Sequence, residues 1–118
     1  MKGNKMKMCW SGLDDNKTLV LHVEHGDTGP TVDLLDTRGH GFAVFGPDVD
    51  VPFAVVDYRL VDTHGYTDDH MLAIEAHELG HIHTQSTDEA TAERAGIALL
   101  EAAGKEGAAQ LLKERGII

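Results

Sequence analysis

The sequence predicts a small α+β domain, with three or four short, mostly antiparallel strands in its first half and three helices in its second. Three observations carry this. Runs of β-branched and apolar residues, broken by glycine and proline, fill residues 18–61. From residue 68 onward the apolar positions recur at helical spacing instead. A length of 118 residues suits one domain with a modest core.

Residues 1–7 are polar and basic and are expected to fray. Cys9 is the single cysteine, so no internal disulfide can form. It reads as a small buried hydrophobe rather than a metal ligand. Residues 18–23 form the first clear strand pattern, and residues 25–30 a turn-rich break. Residues 31–37 alternate partly and read as a second strand, with residues 41–45 as a third. Arg38-Gly39-His40-Gly41 between them suggests a hairpin whose glycines supply positive φ. Residues 53–61 have the strongest strand pattern in the chain. Hairpin connections make an antiparallel sheet the expectation.

The next helix should begin at Thr67 or Asp68, each able to cap it, with Asp68 and Asp69 suiting its N-terminal dipole. Met71, Leu72, Leu79 and Ile82 share the side that should face the sheet. The opposite side carries His77-Glu78-Leu79-Gly80-His81. Two histidines four apart lie one turn above each other on a helix. At that spacing two imidazoles can grip one Zn²⁺ at about 2.0–2.1 Å. Glu78 stands at the edge of that face, where it can take a proton from an activated water.

A catalytic zinc takes three protein ligands and leaves one position open. With residues 86–103 drawn as a helix, Glu89, Glu93, Ala92, Gly96, Leu99, Leu100 and Ala103 share one face. That face is otherwise apolar or small and should point inward. Two carboxylates there need partners: a metal for Glu89 and a ligand histidine for Glu93. Ala92 and Gly96 would let the two helices approach closely. Asp88 is turned aside from this face. Gly104 should end the helix. Residues 105–115 form a last one, with Ala108, Leu111, Leu112 and Arg115 on one side, Gly116 as a C-cap, and Ile117 and Ile118 as an apolar tail.

Over roughly residues 66–103 the chain resembles the gluzincins, zinc metallopeptidases in which His-Glu-x-x-His is followed by Glu-x-x-Ala-Asp or a close variant. Its size resembles the minimal members, the minigluzincins. The resemblance implies that His77, His81 and Glu89 hold Zn²⁺, one ion per chain, that Glu78 is catalytic, and that Glu93 orients a ligand histidine. This chain has Glu93 where aspartate is commoner, and a shorter spacer from His81 to Glu89 than the large gluzincins. The related metzincin pattern would place a histidine at position 87, which is Thr87. The expected activity is hydrolysis of peptide bonds, internal bonds before terminal ones. Glu78 would accept a water proton and pass it to the leaving amine. A terminal segment can hold minimal gluzincins latent, so the tail is a candidate plug for the cleft.

Twenty acids against ten bases give a net charge of −10. That disfavours nucleic-acid and anionic membrane partners and is compatible with a basic peptide substrate, a salt-rich habitat or simple solubility; a peptide or protein substrate is what the resemblance implies. Neither a transmembrane run nor a secretory signal is visible, so a cytoplasmic protein is expected. Two rival classes remain: a latent or weakly active zinc protein that acts through partner binding, and a metal-free helical interaction module.

Overall fold

Strands β1 (Lys7–Trp10), β2 (Leu19–Val23), β3 (Gly41–Val44) and β4 (Phe53–Asp57) form one sheet in the order β1-β2-β4-β3 in the computed structural model, which describes residues 6–115. The helices are α1 (Pro30–Arg38), the single turn α2 (Leu60–Thr63), α3 (Asp68–Thr84), α4 (Glu89–Ala102) and α5 (Glu106–Arg115). The fold is α+β, as expected.

The sheet is mixed rather than purely antiparallel. β1 pairs with β2, and β3 with β4, antiparallel, but β2 and β4 run parallel. The cause is α1. Residues 31–37 belong to this helix and not to a strand. Pro30 sits at its first position, where a fixed φ and a missing N–H cost nothing. Val32 and Leu35, three apart, form its buried face. That burial overrides the local strand preference of Thr31, Val32 and Thr37. The helix carries the chain across the sheet, so β4 can insert between β2 and β3.

The connection before β3 is therefore a helix exit and not a hairpin. Gly39 (φ 81°) and His40 (φ 37°) make the turn. Gly41 serves a different purpose. A Cβ there would lie 2.7 Å from the Val55 carbonyl oxygen and 3.1 Å from Ile74 Cγ2, so its absence lets β3 approach α3. The strand expected over residues 53–61 ends at Asp57. The Arg59 Nε donates to Asp57 Oδ1 at 2.8 Å and its Nη2 to Asp36 Oδ1 at 2.6 Å, which ties this corner to α1.

α3 is the central element. Met71, Ile74, Ala76, Leu79 and Ile82 are buried with Val20, Ala54 and Val56 of the sheet and with Leu100 and Leu112 of α4 and α5. Every residue from Ala73 to Ile82 is buried, because the sheet covers one side and the two later helices another. The ligand-side Ile74 is thus core, not surface. On the other face of the sheet Val23, Phe42 and Val55 pack against Val32 and Leu35. Each such aliphatic side chain, fully buried, contributes about 1.5–3 kcal/mol.

Ala108, Ala109 and Leu112 of α5 are buried, and Gly104 (φ 75°) ends the segment before it. Lys7 is part of β1 rather than of a loose end. The expectations for residues 1–5, for Gly116 as a cap and for Ile117 and Ile118 as a tail lie outside the described residues. Among the described residues no helix is long and apolar enough to cross a membrane.

Candidate metal centre

Helix α3 starts where Thr67 Oγ1 accepts from the His70 N–H and His70 Nδ1 accepts from the Thr67 N–H at 3.1 Å, a reciprocal cap. His70 is engaged in this cap and stacks on Tyr66 at 4.7 Å between centroids. Two turns further on, His77 and His81 are buried, and their rings meet edge to face at 4.9 Å.

Glu89 enters from α4. Asp88 caps that helix through the Thr91 N–H at 2.8 Å and the Thr91 hydroxyl at 2.7 Å, so its carboxylate is occupied away from the histidines. Glu89 is then the first helical residue. Its side chain is 71% exposed, contrary to the inward stripe expected of it, because α4 begins at the mouth of the site rather than three residues earlier. Even so, Glu89 Oε1 reaches His77 Nε2 at 2.7 Å and His81 Nε2 at 3.3 Å.

The three side chains offer ligand atoms that all lie within 4.8 Å of one another, so they can hold a metal ion. Several features fit that use. Tetrahedral bonds of about 2.05 Å place neighbouring donor atoms about 3.3 Å apart, the spacing of His81 Nε2 from Glu89 Oε1, while His77 Nε2 at 2.7 Å would move outward to admit an ion. The His81 Nδ1–H donates to the Ser86 carbonyl oxygen at 2.7 Å. That bond fixes the tautomer and leaves the Nε2 lone pair facing the carboxylate, an arrangement a cation between them would reconcile. Burial, ahead of the opposing hydrogen bond from Glu89, holds the His77 pKa below its ordinary value, which favours the neutral ring a metal requires. Phe45 stacks on the His81 ring at 6.3 Å.

Glu93 is half-buried on α4. It does not bond either ring: His77 Nδ1 is buried with no hydrogen-bond partner among the described residues, and His81 Nδ1 is taken by Ser86. Its carboxylate acts on His77 through its charge alone. The ring-orienting contact is instead supplied at His81 by a backbone carbonyl.

Glu78 is 2% exposed. Burial, then the nearby Glu89 charge, raises its pKa to about 8, with Arg38 opposing. A carboxyl so placed holds a proton near neutrality, and a cation at the triad would draw it back down. Glu78, His81 and Glu89 line a groove of about 510 Å³ together with Arg38, Thr87, strand β3 and Phe45 just after it. β3 is an edge strand, so the groove runs beside unpaired backbone groups.

Neither Tyr58, His64, Tyr66 nor His70 lines this groove. Tyr58 packs against His22 with the rings tilted by 32°, and Tyr66 gathers His40, His64 and His70 around its ring. Arg38 and Phe45 are groove residues that periodicity does not reveal. The one signal for Arg38 is that it is the sole base between Lys17 and Arg59. His83 is exposed, and its Nε2 donates to Asp14 Oδ2 at 2.8 Å. Cys9 is partly buried, with its Sγ 3.5 Å from His22 Nε2.

No protein-family model matches the chain, and no curated protein or solved structure matches it either.

Proposed function

We propose that the protein is a zinc-dependent metallopeptidase of the gluzincin kind, with His77, His81 and Glu89 as the metal ligands. The observation that carries this reading is the convergence of those three side chains next to a buried Glu78 in a groove along an edge strand. A zinc ion there would supply Lewis acidity, making water a nucleophile near neutral pH and polarising a carbonyl.

The chain's own residues do the rest. Glu78, drawn to its carboxylate form by a cation at the triad, would receive a proton and hand it to the leaving nitrogen. The Ser86 carbonyl keeps His81 presenting Nε2. β3 offers its outer N–H and C=O groups to an extended peptide, which would add to the sheet as a further strand. Phe42, Val44 and Phe45 give that peptide an apolar floor.

The test is hydrolysis of a quenched fluorescent peptide library by the zinc-loaded protein and by Glu78→Gln. The expected result is cleavage by the wild type and a loss of at least about 100-fold in the variant, with zinc retained in both. Equal residual turnover in the two proteins would contradict the reading. It would favour the other one, a zinc-bearing protein that acts by binding partners.

A further inference from the structure

Among the described residues Arg38 is the one lysine or arginine lining the groove. It is the last residue of α1, and the turn at Gly39 and His40 immediately begins the edge strand β3. Its guanidinium carbon lies 5.9 Å from the centroid of the Phe42 ring, a contact that holds the side chain over the groove floor. Leu34, one turn earlier on α1, lines the same groove and gives Arg38 no acidic neighbour at that spacing.

Among the described residues Arg38 forms no ion pair, although acids outnumber bases two to one. Arg59, by contrast, is clamped between Asp57 and Asp36. An arginine presents a rigid fork of donors that matches a carboxylate in two parallel hydrogen bonds. In a strongly acidic chain, one left without an ion pair at the side of the groove is free to offer that fork to an anionic group arriving from outside.

We infer that Arg38 determines substrate specificity by binding a carboxylate of the peptide, so that preferred substrates carry a carboxylate near the bond that is cut. This rests on the peptidase reading above and narrows its substrate class. The carboxylate has two sources, an aspartate or glutamate side chain or the free C-terminus, and both present the same planar pair of oxygens. Long-range electrostatics work against either one, because the chain as a whole is negative. A preference for acidic peptides must therefore come from local contact.

The experiment measures binding apart from turnover. Three fluorescein-labelled pentapeptides of alanine and phenylalanine are titrated into the zinc-loaded Glu78→Gln protein and followed by fluorescence polarisation. One is amidated and neutral, one has a free C-terminus, and one is amidated with a single aspartate. The same titrations are run with Arg38→Gln and Arg38→Lys added, and cleavage of the three peptides by the wild type is followed in parallel. Arg38 is exposed, and thermal melts check that its variants stay folded.

The expected result is that at least one carboxylate peptide binds about tenfold more tightly than the neutral one. Arg38→Gln removes that difference and Arg38→Lys keeps part of it, while the neutral peptide is unaffected. The arm that responds identifies the source. A carboxylate preference that survives Arg38→Gln would assign it to the metal and overturn the inference, as would equal binding of all three peptides or binding of none. An Arg38-dependent preference without cleavage by the wild type would remove the peptidase reading and leave the carboxylate site. Cleavage without the preference would do the reverse.

Discussion

Gly80 of α3 lies against the backbone of Ala92 on α4, so closely that a Cβ at Gly80 would come within 2.1 Å of the Ala92 carbonyl oxygen. The contact is reciprocal one turn away, where a Cβ at Gly96 would meet the Ala76 carbonyl oxygen at 2.8 Å. Both obstacles are backbone atoms of packed helices, so neither can swing aside. This pair of close approaches sets the separation at which Glu89 on one helix reaches His77 and His81 on the other.

Gly80→Ala is therefore expected to force the helices apart. It should destabilise the fold by about 3 kcal/mol or more and weaken zinc binding even at temperatures where the variant is folded. Gly12→Ala, where a Cβ meets nothing within 4 Å, is the control and should change neither. Denaturant unfolding and zinc titration of both variants check this. A Gly80→Ala protein with unaltered zinc affinity would mean that the helix spacing does not govern the site.

A second prediction concerns acid. Asp14 is buried, which pushes its pKa up. Bonds from the Thr18 hydroxyl, His83 and the Lys17 and Thr18 amides outweigh burial and hold it below its ordinary value. A depressed carboxyl contributes stability above its unfolded pKa of about 3.9 and loses it as pH falls through the folded value. Asp14→Asn should cost about 1–3 kcal/mol at neutral pH and much less in strong acid. Denaturant midpoints at the two pH values decide it; a cost that does not change with pH would contradict the account.

Tyr58 makes the opposite case at alkaline pH. Burial, then the charges of Glu75 and Cys9, raises its pKa to about 12. The folded state keeps the phenolic proton after the unfolded state has lost its own. This stabilisation is fully present below about pH 10 and is lost as pH rises through the folded value. An absorbance titration of tyrosinate should show a transition near 12 that is absent from Tyr58→Phe. A transition near pH 10 lost in that variant would show the phenol to be solvated.

Much of this was legible in the sequence because it is local. The spacing of His77 and His81, the cap at Thr67 and the small residues at Ala92 and Gly96 follow from helical phase, and each appears where phase put it. Strand β2 was legible for the same reason. What escaped depends on tertiary context. Thr31, Val32 and Thr37 favour a strand locally, and only the burial of Val32 and Leu35 against the far face of the sheet makes α1 a helix. The parallel pairing of β2 and β4 follows from that helix. Glu89 was identified by its motif, but its exposure depends on where α4 starts, and helix ends are set by caps such as Asp88 rather than by periodicity. The Glu93 contact with a ligand histidine was expected from the resemblance and is not formed here. The pairing of His83 with Asp14 spans 69 positions, beyond any local pattern.

The most direct measurement of the central claim is elemental analysis after zinc reconstitution and gel filtration, for the wild type, His77→Ala and Glu89→Ala. The account predicts about one zinc per chain in the wild type and clearly less in both variants, since each removes one of three protein ligands. A wild type that retains no metal, or a His77→Ala protein that retains as much as the wild type, would contradict it.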